Sequence, residues 1–148
     1  MYYRIESHAK TPTGQALYLS LNNNNPSSGL VVVAQATNDS QLWQPVVLVE
    51  NSTTVVGTVL LCKQLVNGQQ VVAGTGDASF VIPVNVQDAT ASNATWNLKL
   101  PAVQFAYNTD WNLNVSGNGP YNPGNPVLIW KWKDGQPNET WSLVAADF

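Results

Sequence analysis

Three tryptophans, Trp43, Trp96 and Trp141, recur at intervals of about 50 residues, each in the same local setting. The segments are DSQLWQPVVL (39–48), ASNATWNLKL (91–100) and QPNETWSLVA (136–145). In each, a polar pair and one spacer precede the Trp, and an apolar run follows. A unit of this size built from short strands cannot bury its apolar face alone, so three such units must pack on one another. Closing them into a barrel with hairpins also removes unpaired strand edges, the main liability of an all-β chain.

The stretches between the tryptophans support that reading. No window shows the i, i+3, i+4, i+7 stripe of an amphipathic helix. Short β-rich runs stand between turn formers instead. They predict strands at Tyr2–Ser7, Ala16–Leu21, Leu30–Ala34, Trp43–Val49, Val55–Lys63, Gln70–Ala73, Phe80–Val84, Trp96–Lys99, Val103–Tyr107, Leu113–Val115, Val127–Trp132 and Trp141–Val144. The connections NNNNPSSG, TNDS, GTGD, SGNGPYNPGNP and KDGQPN are rich in Gly, Pro, Asn and Asp, the residues that turns require. The expectation is one all-β domain over residues 1–148, with repeats at about 1–50, 51–101 and 102–148.

Charge restricts the partners. Only 10% of the 148 residues are charged, the net charge is −3 and the pI is about 4.7, so there is no basic footprint for nucleic acid. Polarity comes from Asn, Gln, Ser and Thr, whose side chains suit neutral polar ligands. Cys62 is the single cysteine, so no intrachain disulfide can form, and its apolar surroundings predict burial. No signal-peptide pattern and no membrane-length apolar stretch is visible. The protein is therefore expected in the cytoplasm, or released without a classical signal peptide, and not inserted in a membrane. On that expectation the sequons at Asn38, Asn51, Asn93, Asn114 and Asn138 are products of composition, not glycosylation sites.

Gln41-Leu42-Trp43 is an intact Gln-x-Trp, while Ala94-Thr95-Trp96 and Glu139-Thr140-Trp141 keep the Trp and lose the Gln. Together with the strand-only pattern, these residues make the whole chain resemble the ricin B-type β-trefoil lectins, most of all the small disulfide-free fungal ones. The resemblance implies a β-trefoil of three pseudo-symmetric four-stranded repeats. It also implies binding of galactose or N-acetylgalactosamine type glycans on glycoproteins or glycolipids, with no cofactor, no metal and no catalysis. Gln41, Trp43, Trp96 and Trp141 would then be structural. A weak single site would need a homodimer or further sites to crosslink glycans.

The third repeat matches the family best. Leu113-Asn114-Val115 is followed by Ser116-Gly117, then by Val127-Leu128-Ile129-Trp130, then by Asn138-Glu139-Thr140-Trp141. By resemblance, the Asn114 position accepts from sugar hydroxyls, Gly117 forms the turn, Trp130 stacks on the apolar face of the pyranose, and Asn138 contacts a further hydroxyl. Asn114 replaces the usual Asp, and a neutral acceptor makes weaker hydrogen bonds than a carboxylate. Glu139 replaces a Gln that mainly supports the fold. The corresponding positions read as Ser20, Gln35 and Ser40 in repeat 1, and as Val72, Val86 and Asn93 in repeat 2. Neither set holds an aromatic, so no similar site is expected there.

Other aromatics flank this site. Trp130 and Trp132 are spaced to face one side of a strand, with Lys131 and Lys133 on the other. Trp111, expected on a turn, is either a second sugar platform or a cap on the core. Tyr121, on the long Gly- and Pro-rich loop, is a candidate binding lip.

Catalytic machinery is not visible: His8 is the sole histidine, no carboxylate pair stands out, and the GxG within Ala73-Gly74-Thr75-Gly76-Asp77 is not followed by a helix. A second reading stays open, a β-trefoil protease inhibitor acting through a surface loop, either NNNNPSSG or GNGPYNPGN.

Overall fold

The computed structural model describes residues 1–50, 53–76 and 79–146; Asn51 of one sequon and Asp77 of the GxG stretch lie outside the described residues. Among the described residues twelve strands form: β1 (Tyr2–Lys10), β2 (Ala16–Ser20), β3 (Val31–Val33), β4 (Trp43–Glu50), β5 (Thr54–Cys62), β6 (Val71–Thr75), β7 (Val81–Asn85), β8 (Trp96–Lys99), β9 (Ala102–Phe105), β10 (Trp111–Val115), β11 (Val127–Lys131) and β12 (Trp141–Ala146). Each predicted strand has an observed counterpart. No helix among the described residues is long and apolar enough to cross a membrane.

The wall of a barrel runs through antiparallel pairs from β12 to β1, β4, β5, β8 and β9. It closes where the Trp141 N–H donates to the carbonyl of Pro101, just before β9, at 2.8 Å. The remaining strands form the hairpins β2–β3, β6–β7 and β10–β11. These hairpins meet at Leu30, Val81 and Val127, all fully buried. The Leu30 N–H donates to Val81 O (2.9 Å) and the Val127 N–H to Leu30 O (3.0 Å), so backbone bonds tie the three together.

The recurring tryptophans are the pillars of this arrangement. Each follows one helical turn: 3₁₀ turns at Asp39–Gln41 and Pro137–Glu139, and the short helix α1 at Ala91–Ala94. These turns are the polar pairs of the sequence pattern. Trp43, Trp96 and Trp141 are buried, and their indole N–H groups donate to Leu19 O (2.9 Å), Ala73 O (3.0 Å) and Leu113 O (2.9 Å). A buried indole needs such an acceptor, and here the acceptor is a hairpin strand, so each Trp ties its barrel strand to its hairpin. Truncating any one to Ala is worth about 3–5 kcal/mol of stability.

Three local expectations are corrected. Trp111 is the first residue of β10, not a turn residue; the turn lies before it, closed by the Trp111 N–H on Asn108 O at 3.1 Å. Because Trp111 pairs with Lys131, β11 has no partner beyond that residue, and Trp132 falls off the strand. The alternation predicted for residues 130–133 therefore stops at Lys131. The third is α1, whose four residues are too few to leave a helical stripe in the sequence; Thr90 and Asn93 cap it reciprocally.

Candidate functional site

The β10–β11 hairpin, the loop joining its strands and the 3₁₀ turn Pro137–Glu139 enclose an open cleft of about 690 Å³. Asn114, Gly117, Tyr121, Trp130 and Asn138 all line it. Strand alternation explains the division of labour on β10. Leu113 and Val115 face the core, while Asn112 and Asn114 lie across from Trp130 and Leu128 on the opposite face.

Asn114 is 4% exposed, and its amide donates to Asn112 O at 3.3 Å. Trp130 is 56% exposed, unusual for so large an apolar ring. It is braced edge-on by Trp111, with ring centroids 6.2 Å apart and planes at 73°. Trp111 itself does not line the cleft and packs partly buried against the core. The indole bonds show why. They make Leu19, Ala73 and Leu113 equivalent, so two residues earlier Trp111 stands where the other hairpins carry Leu17 and Val71, both buried. A Trp is too large for that core slot and spills out against Trp130.

Asn138 and Tyr121 hold the turn after β10. The Asn138 amide donates to Val115 O (3.1 Å) and Gly117 O (3.2 Å), and the Tyr121 hydroxyl donates to Gly117 O (3.1 Å). Both Asn138 hydrogens are thus committed, and only its Oδ1 can face a ligand. Burial raises the Tyr121 pKa, so the phenol keeps the proton it donates. Gly117 lies at φ 97°, a left-handed conformation that a side chain would strain.

The buried Glu139 accepts the Lys133 N–H on both carboxylate oxygens, at 2.6 and 2.7 Å. Gln41 does the same in repeat 1 for the Ala36 N–H at 3.0 Å. Lys131 and Lys133 also line the cleft. Lys133 lies beyond the strand end, where alternation no longer sets its face, and the KDG turn that follows is the sequence signal for that.

The indole-defined register also corrects the positions expected in the other repeats. Asn114 corresponds to Ser20 and Gly74, not Val72; Trp130 corresponds to Val33 and Val84, not Gln35 and Val86. Without an aromatic to anchor the alignment, a two-residue slip keeps the same strand face and leaves no mark in the sequence pattern. Ser20 and Ser40 are both fully buried, and among the described residues no hydrogen-bond partner reaches the Ser40 Oγ. In repeat 2, a Cβ on Gly74 would stand 2.7 Å from Asn93 O and from Val84 Cγ2. Asn93 is occupied in capping, accepting the Thr90 N–H at 2.8 Å and donating to Asp88 O at 3.1 Å. Packing closes the repeat-2 equivalent, and neither equivalent offers an aromatic at the Trp130 position.

Among the described residues, no cluster of His, Cys, Asp and Glu fits a metal ion. His8 Nε2 lies 2.7 Å from Ser142 Oγ, an exposed pair between neighbouring barrel strands that lines neither of the main clefts.

Solved structures with the same architecture are found across the full chain. The C-half of an earthworm R-type lectin, solved with GalNAc, superposes with a TM-score of 0.68 at 16% identity, covering 97% of both chains. A designed three-fold symmetric protein, ThreeFoil, gives 0.69 at 20% identity over 98% of this chain and 99% of its own. The chain is a β-trefoil. The trefoil of the Macrolepiota procera ricin B-like lectin, solved with lactose, gives 0.64 at 18% identity over 99% and 96%. No family model matches the sequence, and no curated protein matches it by sequence. At these identities the trefoil architecture is what the chain shares with them.

Proposed function

We propose that this β-trefoil is a carbohydrate-binding protein of the ricin B-like lectin type, taking a galactose or N-acetylgalactosamine residue in the repeat-3 cleft. The observation that carries the reading is the exposed, braced Trp130 ring standing in one shallow cleft with the Asn114 and Asn138 amides. A hexose has one face of clustered C–H groups and hydroxyl-rich edges. The indole covers that face with little loss of side-chain freedom. The Oδ1 atoms of Asn114 and Asn138 accept from hydroxyls at the edge. Two trefoils of the same architecture were solved with GalNAc and with lactose, which agrees with this chemistry. A protein with one such cleft crosslinks glycans only by pairing with a second copy.

A glycan array, run beside inhibition assays on cysteine and serine proteases, tests the class of activity. The proposal expects binding to terminal galactosides and no inhibition. Trp130→Ala should weaken galactoside binding by about 10- to 100-fold, the loss of one stacking contact. Its thermal midpoint should stay near that of the parent, because the ring is largely exposed. Unchanged glycan binding in this variant would remove the site from consideration.

A further inference from the structure

The chain carries 6 Lys and Arg against 9 Asp and Glu, yet the accessible charge in the repeat-3 cleft has the opposite sign. Lys131 and Lys133 line the cleft, and both are exposed. Among the lining residues Glu139 is the sole carboxylate; it is 1% exposed and both oxygens accept the Lys133 N–H. The neighbouring Asp134 is on the turn and does not line the cleft. Among the described residues no salt bridge joins a carboxylate to either cleft lysine. The floor residue Asn114 adds no negative charge. The cleft is thus a positive spot on an acidic protein, in a concave surface where low-dielectric walls concentrate the field.

We infer that the site is built for an anionic galactoside, one carrying a carboxylate or sulfate substituent beside the stacked ring. This rests on the carbohydrate-binding reading above and narrows its ligand. A neutral sugar satisfies Trp130 and the amides but makes no use of the two exposed lysines that line the cleft. A carboxylate or sulfate on a neighbouring position supplies a counter-charge. Lysine is a compact charge on a flexible stem, so it can follow such a substituent without the fixed geometry an arginine would demand. The neutral Asn114 fits the same purpose, since a carboxylate there would repel the anion.

The test is calorimetric titration of the full chain with lactose, sialyllactose and sulfated lactose, at low salt and again in high salt. At least one anionic ligand should bind about tenfold more tightly than lactose at low salt, the value of one charge-assisted contact. High salt should erase most of that advantage, because screening weakens exposed pairs. In the double variant Lys131→Gln/Lys133→Gln, the ratio of anionic to neutral affinity should fall to about one. Preference for the sialylated or for the sulfated ligand alone identifies the source of the anion and supports the inference. Lactose binding with no anionic advantage overturns the inference and leaves the carbohydrate reading standing. An advantage that persists in the double variant also overturns it, since the charge then acts elsewhere. Binding of none of the three removes both.

Discussion

Glu139 and Gln41 perform one task with different atoms. Each sits two residues before a pillar Trp, buried, and takes a backbone N–H from the segment just after its hairpin strand. Gln41 does more, accepting from Arg4 Nε at 3.0 Å and donating to Ala34 O at 3.2 Å. A glutamine at 139 keeps the needed acceptor, so Glu139→Gln should unfold at a denaturant midpoint close to the parent's. Glu139→Ala leaves the Lys133 N–H unpaired and should cost about 1–3 kcal/mol. Equal midpoints for the alanine variant and the parent would show that this bond does not support the cleft. Ser40 presents the opposite case. Its hydroxyl is buried without a partner among the described residues, so Ser40→Ala should be neutral or stabilising by up to about 1 kcal/mol in the same assay.

At the scale of elements, β6 shows how packing removes a site that symmetry would offer. Gly74 occupies the place of Asn114, and the space above it is filled by Val84 and the end of α1. Val59, Val72 and Ala94 form a separate buried cluster there, with Val46, Leu48 and Val84 packed on it. Gly74 has no positive φ, so space alone excludes a side chain. One of the close atoms is the Asn93 backbone oxygen, which cannot swing aside. Gly74→Ala should therefore destabilise by about 1–3 kcal/mol, read from the thermal or denaturant midpoint, with no gain of glycan binding. The strands themselves were legible in the sequence because β-rich runs and turn residues alternate locally. Equivalence between repeats was not, since Gly74, Val84 and Val33 carry no side-chain signature. It took the Trp96 indole bond to Ala73 to set the register.

At the scale of the molecule, closing the barrel hides groups that would react in an open chain. Cys62 lies across from Trp43 in the β4–β5 ladder and is 2% exposed. Burial, the dominant cause, pushes its thiol from 9.0 up to about 12. At pH 8 a thiol reagent should leave the native protein untouched and modify one thiol per chain once it unfolds. The same shift makes stability depend on pH in the alkaline range. Below pH 9 both states hold the proton and the thiol adds no slope. Between pH 9 and about 12 the unfolded chain releases it while the native state retains it, so stability falls as pH rises. The raised pKa values of Tyr18 and Tyr121 act in the same direction. Denaturant midpoints should thus decline above pH 9, and less steeply in Cys62→Ala. A profile flat to pH 11 would contradict this.

The sequence by itself determined three all-β units closed on one another, and its resemblance to ricin B-type lectins implied the trefoil. Three tryptophans in register, each with its polar turn and β-rich neighbours, specify a unit that must close on two others, and that logic is local and repeated. Five of the six residues read as a site, Asn114, Gly117, Tyr121, Trp130 and Asn138, also converge on one cleft. They do so because the hairpin and the 3₁₀ turn that carry them are tied together through the Trp141 indole. Only the tertiary structure decided the rest. Strand pairing ended β11 at Lys131, and the cleft is lined by Lys131 and Lys133 as well as by the residues read as a site. Core volume turned Trp111 from a platform into a brace, and packing closed repeat 2. Strand ends, volumes and neighbours are properties of the assembled chain, and no single residue encodes them.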